Sequence, residues 1–164
     1  NKLEYGAWRH MLARCYSSEC SWYDVCTVSS EWHNFQNFAE WYAEEYVKGW
    51  ELDKDILSGK VYSRDTCFIV PREVNTALIG VRDKNSGVHY DRSRRKFQSY
   101  ADVGGERIRL GRFTTFDEAK TARNIVKSDY LITLANRYSA FKFSQPLITL
   151  ADSLRNGSIE YVRC

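Results

Sequence analysis

The sequence predicts an α+β protein in two consecutive parts: N-terminal helices packed on a compact strand and helix unit, then a three-stranded antiparallel sheet with one packed helix. Three observations predict it. Apolar residues recur at helical spacing in two stretches before Gly49. A strand, a turn, a second strand and a Pro-started helical turn follow one another between Leu52 and Asn75. Three alternating runs separated by turn residues begin at Val88 and precede an alanine-bearing helical pattern. The expected boundaries are 1–78, 79–138 and a helical tail over 139–164. With 164 residues, 43% of them hydrophobic, the chain can bury one good core or two small ones. No apolar run approaches the ~18 residues of a membrane span, and no signal-peptide pattern is present, so a soluble, cytoplasmic protein is expected.

Tyr5, Trp8, Met11, Leu12, Cys15 and Tyr16 predict an amphipathic helix over 4–16, with Arg9, His10 and Arg14 off its apolar face, either solvated or touching phosphate. Ser17 to Val28 reads as loop with one short strand. Ser29 or Ser30 then caps a second helix, whose stripe of Trp32, Phe35, Phe38, Ala39, Tyr42 and Tyr46 is core and ends at Gly49. Val61-Tyr62 and Cys67 to Val70 read as strands beside a Ser58-Gly59 turn, and Pro71 suits the first position of a helix. Such a ββα unit is expected to bring Asp53 and Asn75 face to face, two oxygen ligands suited to Mg2+ or Mn2+. Strand alternation puts Asp53 and Asp55 on one side and Lys54 on the other. Taken alone, these three charges also read as a solvated turn; the spacing to Asn75 and the basic region downstream favour a metal site.

Charge is distributed unevenly. Ser29 to Ser58 carries seven acidic residues against Lys48 and Lys54, whereas Gly80 to Arg112 carries nine basic residues against four acidic ones. That asymmetry points to a second half that binds a polyanion. Thr76 to Ser86 reads as a polar linker. Val88 to Tyr90, Phe97 to Val103 and Arg107 to Phe113 are the three strands, with Gly104-Gly105 as a hairpin turn. Thr115 to Glu118 is a capping box opening a helix to about Ala135, buried through Ala119, Ala122, Ile125, Val126 and Tyr130. Alternation turns Val88, Tyr90, Phe97, Ser99, Ala101, Ile108 and Leu110 toward that helix. It leaves His89, Arg92, Gln98, Tyr100, Asp102, Arg107 and Arg109 on the opposite face, where amide and guanidinium groups can read base edges. Ser144 and Pro146 begin a last short helix with Leu147, Ile148, Leu150, Ala151 and Leu154, which packs on either part or mediates a homodimer.

Cys15, Cys20, Cys26 and Cys67 leave two readings open. They either form a tetrahedral structural zinc site, in which His10 or His33 can replace Cys20, or are buried free thiols.

The run Asp53-Lys54, Thr66-Cys67 and Asn75 resembles the HNH (ββα-metal) nucleases of phage and intron homing endonucleases. The resemblance implies that Asp53 and Asn75 hold the metal, that Lys54 stands where the family has its general-base His, and that Thr66 stands where a middle Asn fixes the loop. It is closer still to a phage-encoded branch with Arg or Lys at the base position, in which cysteines resembling Cys15, Cys26 and Cys67 occur. Lysine stays protonated at neutral pH unless its pKa falls by about three units, so it suits holding phosphate, with Asp55 or hydroxide deprotonating the water. The run GVHYDRSRRKFQSYADVGGERIRLGRF resembles the DNA-binding domain of plant ethylene-response factors and of phage integrases and homing nucleases, with Phe97 where Trp is usual. It implies a sheet that enters the major groove, with Arg92, Arg94, Gln98, Tyr100, Arg107 and Arg109 contacting DNA and Arg95 and Lys96 meeting phosphate.

The functional expectation is therefore a sequence-specific, Mg2+-dependent endonuclease acting on double-stranded DNA. The alternative is a nuclease-silent DNA-binding regulator descended from one, and a third is a binder that blocks another protein's access to DNA.

Overall fold

The structure, a computed structural model, describes residues 2–17, 26–57 and 60–161. Cys20, most of the Ser17 to Val28 loop and the Ser58-Gly59 turn lie outside the described residues. The fold is mixed α and β, and the chain divides into two compact units, residues 1–75 and 76–161. No helix among the described residues is long and apolar enough to cross a membrane.

In the first unit, α1 (Lys2–Tyr16) is followed by β1 (Thr27–Val28), a 3-10 turn (Ser30–His33) and α2 (Phe35–Glu45). The single helix expected from Ser29 to Gly49 is thus broken. Ser29 caps the 3-10 turn by accepting from Trp32 N, and Asn34, in extended backbone at ψ 118°, caps α2 afresh by accepting from Gln36 N. An Asn side chain competes with helical hydrogen bonding in this way, and here it splits the element. The aromatic stripe survives the break. Trp32, Phe38, Trp41 and Tyr42 are buried with Met11 of α1, and the Trp32 and Trp41 ring centroids stand 4.6 Å apart. Tyr46, expected in the stripe, is exposed because α2 ends before it.

Beyond α2 come β2 (Glu51–Asp53), β3 (Val61–Tyr62), β4 (Phe68–Val70) and α3 (Arg72–Leu78). β2 pairs antiparallel with β4, Asp53 opposite Phe68 and Glu51 opposite Val70, and Pro71 leads into α3. β3 instead pairs parallel with β1, Thr27 opposite Val61. Tyr62, Cys67 and Ile69 join the aromatic core.

The second unit holds β5 (Val88–Asp91), β6 (Lys96–Val103) and β7 (Glu106–Phe113) in one antiparallel sheet of order β5-β6-β7, then α4 (Phe116–Arg137) and α5 (Ser144–Arg155). The capping box at α4 is formed in both directions, Glu118 N to Thr115 Oγ1 and Thr115 N to Glu118 Oε2. α5 packs on α4: Ser128 Oγ donates to Ala151 O and Ser144 Oγ to Ala135 O, while Leu147, Leu150 and Leu154 are buried.

The buried side of α4 is shifted from the one periodicity predicts, with Ala122, Val126 and Tyr130 half-buried at its edges. Ala119 is buried, but Ile125 is exposed, and Lys120, Arg123 and Lys127 are buried in its place. These cations satisfy main-chain carbonyls: Lys120 Nζ donates to Asp83 O and Ser86 O, Arg123 Nη2 to Gly80 O, and Lys127 Nζ to Asp102 O. The stretch read as a polar linker is consequently bound. Thr76 to Leu78 belong to α3, and 80–86 is held against α4. Gly87 is required at its end, since its φ is +76° and a Cβ there would lie 2.6 Å from Tyr100 O.

Candidate functional site

The sheet of the second unit carries the larger candidate site. Residues opposite one another in an antiparallel pair share a face. The rows Tyr90–Phe97–Phe113, Val88–Ser99–Gly111 and Ala101–Ile108 form the face toward α4, where Ser99 Oγ donates to Ala119 O at 2.7 Å. The opposite face carries the rows Asp91–Lys96, His89–Gln98–Arg112, Tyr100–Arg109 and Asp102–Arg107. His89, Gln98, Tyr100, Arg107 and Arg109 thus share the outer face as expected.

Arg112 was not among the expected contacts. Ser99 pairs with Gly111 but Tyr100 pairs with Arg109, which leaves Leu110 without a partner in a β-bulge. Gly111 sits there with φ +126°. The extra residue reverses the alternation, so Arg112 joins Arg107 and Arg109 outside and Leu110 is taken out of the helix-facing row. Gly111 was the only available signal, as a glycine within a strand marks such irregularities.

Arg92 is also displaced from its expected place. It lies in the β5–β6 turn with Ser93, Arg94 and Arg95, not on the sheet face. Asp91 builds that turn, accepting from Ser93 Oγ at 2.7 Å, Ser93 N at 3.0 Å and Arg94 N at 3.2 Å. It also accepts from Gln98 Nε2 at 2.9 Å, which orients that amide. These bonds, Ser93's first, hold the Asp91 carboxyl well below the usual range. Arg95 takes the left-handed conformation at φ 51°, and Lys96 Nζ donates to Thr114 Oγ1. Arg107 gives two bonds to Asp102, at 2.9 and 3.1 Å, and its guanidinium lies 5.2 Å from the centre of the Tyr100 ring. The pairing lowers the Asp102 pKa and raises that of Arg107. The side chains of Arg92, Arg95, Arg109 and Arg112 form no ion pair among the described residues.

No family model, curated protein or solved structure matches the chain. The candidate chemistry rests on the chain's own geometry.

In the first unit, Asp53 ends β2 and is buried, 2% exposed. Its Oδ2 accepts from Ile56 N at 3.1 Å, while Oδ1 is buried with no hydrogen-bond partner. Burial, and then the nearby Asp55 carboxylate, push its pKa up to about 7. The expected split of Lys54 from Asp55 is not found, because β2 stops at Asp53 and strand alternation no longer applies beyond it. Lys54 Nζ pairs with Asp55 Oδ1 at 2.6 Å and lies 5.6 Å from the centre of the Tyr62 ring. Burial works against the Lys54 charge, but the Asp55 carboxylate more than offsets it and keeps the ammonium protonated above the usual lysine range.

Asn75, on α3, donates from Nδ2 to Glu51 Oε2 at 2.6 Å. No hydrogen bond joins it to Asp53 among the described residues. Glu51, two residues before Asp53 on the same side of β2, takes its amide instead. Thr66 braces the loop between β3 and β4: its Oγ1 donates to Val61 O at 2.6 Å and accepts from Ser63 N at 3.1 Å.

Cys15 and Cys26 are brought together, with Sγ atoms 2.9 Å apart, and burial raises the Cys15 thiol and pushes the Cys26 and Cys67 thiols up to about 12. Among the described residues no three His, Cys, Asp or Glu side chains converge as a metal-binding group.

Proposed function

We propose that this protein is a metal-dependent DNA endonuclease of the homing type, which binds duplex DNA through the outer face of the β5-β6-β7 sheet and hydrolyses one phosphodiester with its first unit. The observation that carries the reading is that outer face. It sets Arg107, Arg109 and Arg112 on one strand beside Gln98 and Tyr100, with Arg94, Arg95 and Lys96 at the adjoining turn. Arginine can bond guanine O6 and N7 together, and glutamine can do the same for adenine N6 and N7. Arg107 uses Nε and Nη2 on Asp102, so Nη1 and one remaining Nη2 hydrogen are left for a base. The turn cations suit phosphate and set position without reading sequence.

Asp53 supports the hydrolytic part. Asp53 is a buried carboxylate with one unpartnered oxygen, whose pKa burial and Asp55 raise more than the Lys54 charge lowers it, and a hard divalent cation would supply the missing positive charge. Asp53, with the side-chain oxygen of Asn75, would hold Mg2+ or Mn2+. The chemistry such an ion supplies is polarisation of the phosphodiester. Lys54 neutralises carboxylate charge beside Asp53 and Thr66 holds the loop; neither accepts a proton in this reading. One such unit cuts one strand, and cutting both requires a homodimer or two events.

A second reading, a nuclease-silent DNA-binding regulator, is favoured by the commitment of Lys54 to Asp55 and of Asn75 to Glu51. Incubation with mixed phage and bacterial DNA in Mg2+ or Mn2+, beside Asp53→Ala and Asn75→Ala, separates the two. Cutting that both substitutions abolish with binding intact is the expected result. Sequence-selective binding without cutting makes the protein a regulator, and absence of both rejects the reading altogether.

A further inference from the structure

We propose that Asp91 sets one base choice of the sheet, by fixing the Gln98 amide in the orientation that selects adenine in the DNA major groove. The inference rests on the DNA-binding half of the reading above and is independent of cleavage. Gln98 lies in the middle of its row on the outer face, between His89 and Arg112. An amide on an open sheet face can turn over. In one orientation it meets adenine, and in the other its nitrogen meets the acceptors of guanine or thymine, so an unheld glutamine discriminates poorly. Here one orientation is imposed.

Asp91 pairs with Lys96, two residues before Gln98 on the same face, so Asp91 and Gln98 are diagonal neighbours. The carboxylate is itself held. Its Oδ1 accepts from Ser93 N, Ser93 Oγ and Arg94 N, which leaves Oδ2 for Gln98 Nε2 at 2.9 Å and Arg94 Nη1 at 3.3 Å. These bonds, Ser93's first, keep the carboxyl ionised. An ionised carboxylate only accepts, so only the amide nitrogen of Gln98 can face it. Gln98 is left with Oε1, which has no partner among the described residues, and with one Nε2 hydrogen. Of the four bases, adenine alone shows both a donor, N6, and an acceptor, N7, on its major-groove edge. Asp91→Asn separates the orienting role from the turn. Asparagine builds the same turn as aspartate, its oxygen staying on the Ser93 and Arg94 N–H groups while its nitrogen replaces Oδ2. Two amide nitrogens cannot share a hydrogen bond, so Gln98 turns over, accepts through Oε1 and presents only N–H donors. Guanine, with two acceptors, then fits best.

The test selects bound duplexes from a random-sequence DNA pool with the full chain, in chelator so that cleavage plays no part, and sequences them. Wild type should favour adenine at one position by roughly 5–150-fold over the other bases. Gln98→Ala, which leaves the turn intact, should make that position indifferent and keep the rest of the preferred sequence. Asp91→Asn should replace adenine by guanine at the same position and nowhere else, with the melting temperature of wild type. Adenine retained in Asp91→Asn, or no base chosen there, overturns the role of Asp91. A preferred sequence that Gln98→Ala leaves unaltered overturns the whole proposal while DNA binding stands. A wild-type protein that enriches no duplex overturns the DNA-binding reading as well.

Discussion

The two units handle buried lysine in opposite ways. In the first, Lys54 is buried against the Asp55 carboxylate, which holds it protonated. In the second, Lys120 and Lys127 are buried with main-chain carbonyls as hydrogen-bond acceptors and no paired carboxylate, Lys120 also lying 5.3 Å from the centre of the Tyr161 ring, and burial, with Arg123 beside them, pulls both down to about 8. A carboxylate carries a full compensating charge, whereas carbonyl dipoles satisfy the hydrogen bonds without cancelling the charge. The first arrangement fixes a charge beside Asp53; the second fastens 80–86 and the end of β6 to α4 and leaves its cations easier to deprotonate than an ordinary lysine.

The sharpest way to break that contrast is Asp55→Ala, which strips Lys54 of its counter-charge while the ammonium remains buried. We expect a loss of about 3 kcal/mol in urea unfolding, the low end of the range for severed buried pairs because Asp55 is half-exposed. Adding Lys54→Met should return most of it; a single variant as stable as wild type would show that the pair contributes nothing. On the outer face of the sheet, Arg109→Ala should cost roughly 1–3 kcal/mol of DNA affinity and relax preference at one base position. Arg95→Ala should instead weaken all sequences alike and reduce the salt slope by about 1, so identical profiles for the two variants would refute the division between base and phosphate contacts. In α4, Thr115→Ala removes half of the capping box and should cost about 1 kcal/mol in thermal or urea unfolding.

The gentlest disturbance is pH. Lys120 and Lys127 have folded pKa values near 8, below the ordinary lysine value of 10.5. Between those limits the unfolded chain holds more protons than the folded one, so stability from this source rises with pH across the window and is flat below it. Lys127→Met should flatten part of that rise. Parallel curves for variant and wild type in urea titrations from pH 7.5 to about 10.5 would show that Lys127 does not contribute.

What the sequence made legible follows the range of the interactions. The Gly104-Gly105 hairpin and the Thr115 capping box depend on neighbours a few residues apart, and both are found as read. The parallel pairing of Thr27 with Val61 depends on distant segments with no local mark, and it was not foreseen. Asn34 broke a helix whose aromatic period ran straight through it, so periodicity located the core while missing the turn. Lys120, Arg123 and Lys127 did not figure in the buried side read from apolar periodicity; the carbonyls of 80–86 and Asp102, which accept from them, account for their burial. In the candidate site, spacing suggested Asp53 and Asn75 as paired oxygen ligands, and what it did not show is that the Asn75 amide nitrogen bonds Glu51, the other carboxylate on that side of β2.

The bulge at Leu110 also shapes the surface on which Arg107, Arg109 and Arg112 stand. A bulge bends its strand and increases the local right-handed coil, so the arginines before and after it diverge instead of standing like teeth on a flat comb. A flat partner could engage one end of that row at a time. A winding surface can follow it from Arg107 to Arg112, and the deletion of one residue would throw half of the row onto the wrong side.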